Sequence, residues 1–160
     1  MSKDIFTKAA RFERPERIPM SFVINSSCWH HYEKEALWEL MEEHKLLFTN
    51  FKRPAPDWSP SYSLVARKDQ PYRDVMGCVW HTSDDGITGT VTEHPLEDWS
   101  AFGTEWKIAD PDTTDGLYPV DWAEREKAWQ KLKAEGRSFR GTLRHGHTFL
   151  QLCDLRGYDN

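Results

Sequence analysis

The chain is poor in the residues that define several protein classes. It has 3 cysteines in 160 residues, Cys28, Cys78 and Cys153. They are odd in number, widely spaced and form no Cys-x-x-Cys, which argues against a disulfide scaffold and for reduced thiols. Cationic clusters are also missing. With 21 Lys and Arg against 26 Asp and Glu, the net charge is −5. Sequence-independent nucleic-acid binding needs basic blocks against phosphates, so it is not expected. No apolar run approaches the ~18 residues of a membrane span. The N-terminus, MSKDIFTKAARFERPERIP, has no apolar h-region of a signal peptide. A soluble, cytoplasmic protein without membrane contact is the expectation. No GxGxxG, phosphate loop or GxSxG elbow occurs.

Large aromatics are plentiful. Hydrophobic residues make up only 38%, but 8 Trp, 8 Phe and 5 Tyr bury much area per residue, and the length suits a domain with a core.

In chain order, Ile5, Phe6, Ala9 and Ala10 give residues 3–12 a helical face, broken by Pro15 and Pro19. Residues 20–24 (MSFVI) fit a buried strand. Residues 33–44 carry a stripe of Ala36, Leu37, Leu40, Met41 and His44, and predict a helix. A second strand is expected over 46–51 and a proline-rich loop over 52–60. Two β-prone runs within about 72–92 flank Asp85-Gly86, a hairpin signal. Trp99, Phe102 and Trp106 are expected to form a satellite cluster. Asp121 with Glu124 makes a capping-box pattern for a helix over 121–135, with Trp122, Trp129 and Leu132 as its buried stripe and Gly136 ending it. A strand over 138–143 and a helix over 148–156 complete the chain. Outside the hairpin, strands alternate with helices, which predicts an α/β protein with parallel βα architecture.

Several residues carry potential chemistry. His145 and His147 straddle Gly146, and on extended backbone both imidazoles would point to one side. A cupin would need a carboxylate shortly after the second His, where Leu150, Gln151 and Leu152 stand. An amidohydrolase barrel would place His-x-His on its first strand. Both contexts fail, and pocket-lining turn histidines are the preferred reading. Cys28, His30 and His31 follow the first expected strand. Three ligands in four residues converge only through a sharp turn, so one residue lining a site and the others packing is preferred over a metal site. Asn25, at the end of that strand, is a substrate-contact candidate by position. Asp57, on the proline-rich loop, is another. Asp84 and Asp85 read as turn residues, and Asp74 as a hydrogen-bond partner of hairpin backbone. The tryptophans are expected mostly in cores.

Three segments together resemble the uroporphyrinogen decarboxylase superfamily. Arg14-Pro15-Glu16-Arg17-Ile18-Pro19 follows a short N-terminal helix, as in that superfamily's opening. Asp74-Val75-Met76-Gly77-Cys78-Val79-Trp80, followed by Pro95-Leu96-Glu97-Asp98, is similar to its D-x-x-G-x-x-W … P-L-x-D segment. Residues 141–160, ending Leu155-Arg156-Gly157-Tyr158-Asp159-Asn160, resemble its later strand, glycine turn and Leu-Arg-Gly helix. The likeness spans nearly the whole chain.

The resemblance implies a partial (β/α)8 TIM barrel. Residues 1–160 would supply about three of its strands, N-terminal helices and an inserted β-hairpin; such a barrel needs roughly 250 residues. They would form the N-terminal portion of a single domain whose remainder is missing. True decarboxylases need no cofactor and grip their substrate's carboxylates with an arginine-rich segment after the first strand. Here that segment is Asn25-Ser26-Ser27-Cys28-Trp29, without an arginine. Their catalytic Asp follows the second strand, where only Asn50 or the more distant Asp57 stands. A polyanionic tetrapyrrole would lack its clamps. The resemblance therefore implies the branch of corrinoid-linked methyltransferases, acting on a small methylated substrate with a corrinoid protein as partner. Their zinc would be held by residues beyond Asn160. Asn25, Cys28, His30, Asp57, His145 and His147 would line the substrate side. A homodimer is allowed for the full-length protein. The alternatives are a uroporphyrinogen decarboxylase with altered contacts and a non-catalytic α+β binding module complete at 160 residues.

Overall fold

The computed structural model describes residues 3–20, 22–136 and 147–159; for Lys3, Asp4, His147 and Thr148 only the backbone is described. The chain divides into two compact units. One holds residues 1–67 and returns for 84–87, and the other holds 68–83 and 88–160. Helices α1 (Lys3–Ala10), α2 (Cys28–His31) and α3 (Lys34–Glu43) belong to the first unit. Strands β1 (Tyr72–Arg73), β2 (Val79–His81) and β3 (Thr90–Glu93), then α4 (Trp122–Ala134) and α5 (His147–Arg156), belong to the second. Among the described residues the sheet is three-stranded and antiparallel, in the order β1-β2-β3. The protein is thus a mixed helix-and-sheet structure with a small sheet.

In the first unit the core is Leu37 and Trp38 of α3 with Val65 and Ala66 of a single-turn 3₁₀ segment, Leu64–Ala66. Trp38 is 3% exposed, and Trp58 from the proline-rich loop packs on it at 5.9 Å between ring centroids. Lys34 and Arg53 lie 5.4 and 5.6 Å from the Trp38 ring, close enough for cation–π attraction. Lys34 Nζ also donates to the carbonyls of Pro56 and Trp58, which ties the loop to the helix. The buried face of α3 is therefore rotated from the expected stripe: Leu40 is 42% exposed and Ala36 is exposed, while Trp38 is inside. One large aromatic with a loop partner outweighs smaller residues on the periodic face.

Arg53 grips Glu42 with two hydrogen bonds, Nε to Oε1 at 3.0 Å and Nη2 to Oε2 at 2.7 Å. The hydrogen bonding with Arg53 holds the Glu42 carboxyl below the usual carboxylate range. Because the folded value is depressed, this stabilisation is present above the ordinary carboxylate range and is lost as pH falls through the folded value. Both side chains are solvent-exposed, so the effect is small. Glu42→Gln is expected to lower Tm slightly at neutral pH and to converge with wild type at acid pH, which flattens the acid limb of a plot of Tm against pH.

The second unit is organised by Asp74, which is 5% exposed. Its Oδ1 accepts from the backbone N–H groups of Met76 and Cys78, both at 2.9 Å, and its Oδ2 accepts from Trp80 Nε1 at 2.8 Å. The carboxylate closes the β1–β2 turn and fixes the indole beneath it. A Cβ at Gly77 would lie 3.3 Å from Pro95 Cβ, so a small residue suits that close approach. Leu96 is 2% exposed, and its N–H donates to the Leu155 carbonyl of α5 at 2.8 Å. The Asp154 carbonyl accepts from Cys78 Sγ at 3.3 Å and lies 2.8 Å from His94 Nδ1. Asp98 caps the next turn by accepting from Ser100 N–H at 2.9 Å, and that bond holds its carboxyl below the usual range. Asp74, Gly77, Trp80, Pro95 and Leu96 thus share one folded hub with α5, and Asp98 caps the turn that follows it.

The aromatic cluster forms as expected. Trp99 stacks on Phe102 at 4.9 Å, Phe102 on Trp106 at 5.9 Å, and Arg156 lies 5.0 Å from the Trp99 ring. Asp121 caps α4 by accepting from Glu124 N–H at 3.0 Å. Asp121→Ala is expected to cost about 1 kcal/mol, measured as a shift in urea midpoint with unchanged slope. The stripe of α4 is less buried than expected. Trp122 is 36% exposed and Trp129 and Leu132 are half-buried, so no described residue of this helix is fully buried.

The barrel expectation is not met in detail. Residues 22–24 and 46–51 are not strands. Phe22 N–H reaches the Leu47 carbonyl at 3.3 Å, but a parallel strand needs a full ladder and covered faces. Instead Phe22, Val23 and Leu46 are 54%, 88% and 67% exposed. The third expected strand, 138–143, lies outside the described residues. The hairpin is also not the tight Asp-Gly type. Residues 82–89 separate β2 from β3, with His81 paired to Thr90. The segment 84–87 belongs with the first unit, where Gly86 N–H donates to the Ala66 carbonyl.

Candidate functional site

Chemistry-bearing side chains meet at the short helix α2. The approach is set by Asn25. Its Oδ1 accepts from Ser27 N–H at 3.0 Å and from Ser27 Oγ at 2.9 Å, and its carbonyl accepts from Cys28 N–H at 2.9 Å. This Asx turn starts α2 one turn before His30 and His31. Tyr32 then returns to extended backbone and ends the helix.

Adjacent residues on a helix point about 100° apart and ordinarily do not share a partner. Here a carboxylate sits between the two directions. His30 Nε2 lies 2.9 Å from Asp84 Oδ1, and His31 Nε2 lies 3.0 Å from Asp84 Oδ2. The two rings are 5.0 Å apart and tilted by 69°. Their side chains are 38% and 52% exposed and that of Asp84 is 24% exposed, so the cluster faces solvent.

Gly86 makes this approach possible. Its φ is +77°, and a Cβ there would fall 2.5 Å from the Ser26 carbonyl carbon and 2.6 Å from Ser27 N. The segment 84–87 therefore lies directly on the Asn25–Ser27 turn, fastened by Gly86 N–H donating to the Ala66 carbonyl at 2.9 Å. Tyr62 belongs to the same surroundings. Burial, with the charges of Asp85 and then Asp84, pushes its phenol above the usual range. Its neutral form is favoured in the folded state, and that contribution holds below the ordinary phenol range and is lost as pH rises through the folded value.

Of the residues singled out from sequence, His30 joins this cluster, together with His31. Asn25 shapes the turn beneath it through its own side chain. Cys28 is half-buried at the first position of α2, a free thiol outside the cluster. Asp57 is exposed on its loop and does not belong to it. His145 lies outside the described residues, as does the His147 side chain. Asp84, expected as a plain turn residue, is the member that sequence reasoning missed. The signal available was Gly86 two residues on, marking a backbone that must come close to something. Among the described residues, His30, His31 and Asp84 are the group of three whose ligand atoms lie within 4.8 Å of one another. Two imidazole nitrogens and a carboxylate oxygen can ligate a divalent ion.

No helix among the described residues is long and apolar enough to cross a membrane. Searches against protein-family models, curated proteins and solved structures found no match for the chain.

Proposed function

We propose that the chain is the N-terminal portion of a uroporphyrinogen-decarboxylase-like barrel enzyme, in the branch of corrinoid-linked methyltransferases acting on a small methylated substrate. The observation that carries this reading is the hub of the second unit. The residues of the resembling D-x-x-G-x-x-W and P-L-x-D segments interlock through the Asp74 carboxylate, the Gly77–Pro95 approach and Leu96. The Leu-Arg-Gly helix joins the same hub through the carbonyls of Asp154 and Leu155. Motif letters far apart in sequence thus answer to one set of contacts, as a shared scaffold requires.

Two further features support the reading. The exposed Phe22, Val23 and Leu46 are apolar surface that a longer domain would cover, although the runs that carry them are not strands. The turn after the first run, Asn25–Trp29, has no arginine, and Asn25 Oδ1 is engaged by Ser27, so a polyanionic tetrapyrrole finds no clamp there. The corrinoid would be carried by a partner protein, and no residue of 1–160 is assigned to the zinc of that branch.

The test is an assay of the full-length gene product. The expected result is conversion of cob(I)alamin to methylcobalamin in the presence of small methylated amines or thiols, followed by the change in visible absorption. Decarboxylation of uroporphyrinogen by the same preparation would overturn the choice of branch.

A further inference from the structure

The geometry points to a metal site that is independent of the enzyme reading. His30, His31 and Asp84 bind one divalent first-row transition ion, of the zinc type, at the solvent-facing end of α2.

The donor set fits. Two imidazole Nε2 atoms and one carboxylate oxygen are a three-ligand set of the kind that leaves a fourth position to water. Imidazole with carboxylate suits zinc, nickel, cobalt or iron(II) rather than calcium or magnesium, which prefer all-oxygen shells. The ligand atoms already lie within 4.8 Å of one another. A tetrahedral shell with metal–ligand bonds of ~2.0–2.1 Å needs them roughly 3.3 Å apart. Side-chain rotation covers that difference, because all three side chains end near solvent.

The backbone is prearranged for it. The Asx turn at Asn25 fixes the start of α2, and Gly86 lets the Asp84 segment lie on that turn. Two ligands thus come from one helical turn and the third from a segment more than fifty residues later in the chain. An ion there would tie segment 84–87 to α2. The two ring nitrogens face the same carboxylate, which keeps the three donors together. Cys28 stands two residues before His30 but is not among the converging atoms. The site is also separate from the zinc implied by the resemblance, to which no residue of this cluster is assigned.

The test is zinc binding by the protein in competition with a chromophoric chelator, with Zn2+ alone as the probe. Wild type is expected to bind one more equivalent than the His30→Gln/His31→Gln variant. Asp84→Asn should weaken that equivalent by more than the roughly 10–100-fold that loss of an outer partner costs. His44→Gln, Cys28→Ala and the His145→Gln/His147→Gln pair should each retain it. Cobalt substitution should give visible d–d bands that vanish in His30→Gln/His31→Gln, without thiolate charge-transfer absorption. Circular dichroism on each variant separates loss of the site from loss of fold. Equal zinc stoichiometry in wild type and in a folded His30→Gln/His31→Gln variant overturns the proposal, as does loss of the equivalent in the His145→Gln/His147→Gln pair. A failed methyl-transfer assay would leave the zinc result standing, so the two readings fail separately.

Discussion

Asp74→Ala is expected to destabilise the second unit by about 3 kcal/mol or more, a loss on the order of 10 °C in Tm for a chain of this size. The substitution removes an acceptor that serves Met76 N–H, Cys78 N–H and Trp80 Nε1–H at once. Cys78 and Trp80 are 1% and 7% exposed, so water does not readily replace the lost carboxylate. Unsatisfied buried donors cost about 1–3 kcal/mol each, although neighbouring losses are not additive. Asp74→Asn separates the contributions. Its amide oxygen can keep the two backbone bonds, but its NH2 group then faces another donor, the Trp80 indole. Trp80→Phe removes that conflict. The pair Asp74→Asn/Trp80→Phe is therefore expected to be more stable than the sum of the single changes, by denaturant melts in a double-mutant cycle. Additive values would sink the hydrogen-bonded pairing of Asp74 with Trp80.

Gly86→Ala is expected to dislodge segment 84–87 and destabilise the first unit by more than the about 1–2 kcal/mol that a left-handed backbone costs an L-residue. The added Cβ would meet Ser26 and Ser27 backbone atoms at 2.5 and 2.6 Å, and backbone cannot rotate aside. Gly103 supplies the control. It has the same φ of +77° with nothing within 4 Å of a built Cβ. Gly103→Ala should show the conformational cost alone, about 1–2 kcal/mol. The difference between the two variants measures the closeness of the 84–87 segment to the Asn25–Ser27 turn. Equal losses would contradict that contact.

Much of the local structure was legible in the chain. Helices α1, α3, α4 and α5 follow from apolar spacing, from the Asp121 cap and from the prolines that bound them. The Trp99–Phe102–Trp106 cluster follows from aromatic density. What local pattern could not provide was the outcome of competition between distant segments. The runs at 20–24 and 46–51 have strand composition, but composition does not supply the neighbours that a parallel strand needs. Trp38 replaced the periodic stripe of α3 because Trp58 and two cations gather on it. The Asp-Gly pair promised a tight turn, yet Gly86 serves a close backbone approach within a longer loop. The same gap hid the site. His30 and His31 stood out by residue type, but their partner Asp84 is set by where the loop lies, and one chain read in order carries little trace of that.

This loop brings one carboxylate to two neighbouring imidazoles. Nitrogen chemical shifts of the histidine rings test it directly, measured without metal at a pH where imidazole is neutral. Both His30 and His31 are predicted in the tautomer with the proton on Nε2, each donating to Asp84, and Asp84→Asn is predicted to shift both sets of signals together. Ring signals of His30 and His31 that stay unchanged in Asp84→Asn would contradict the account.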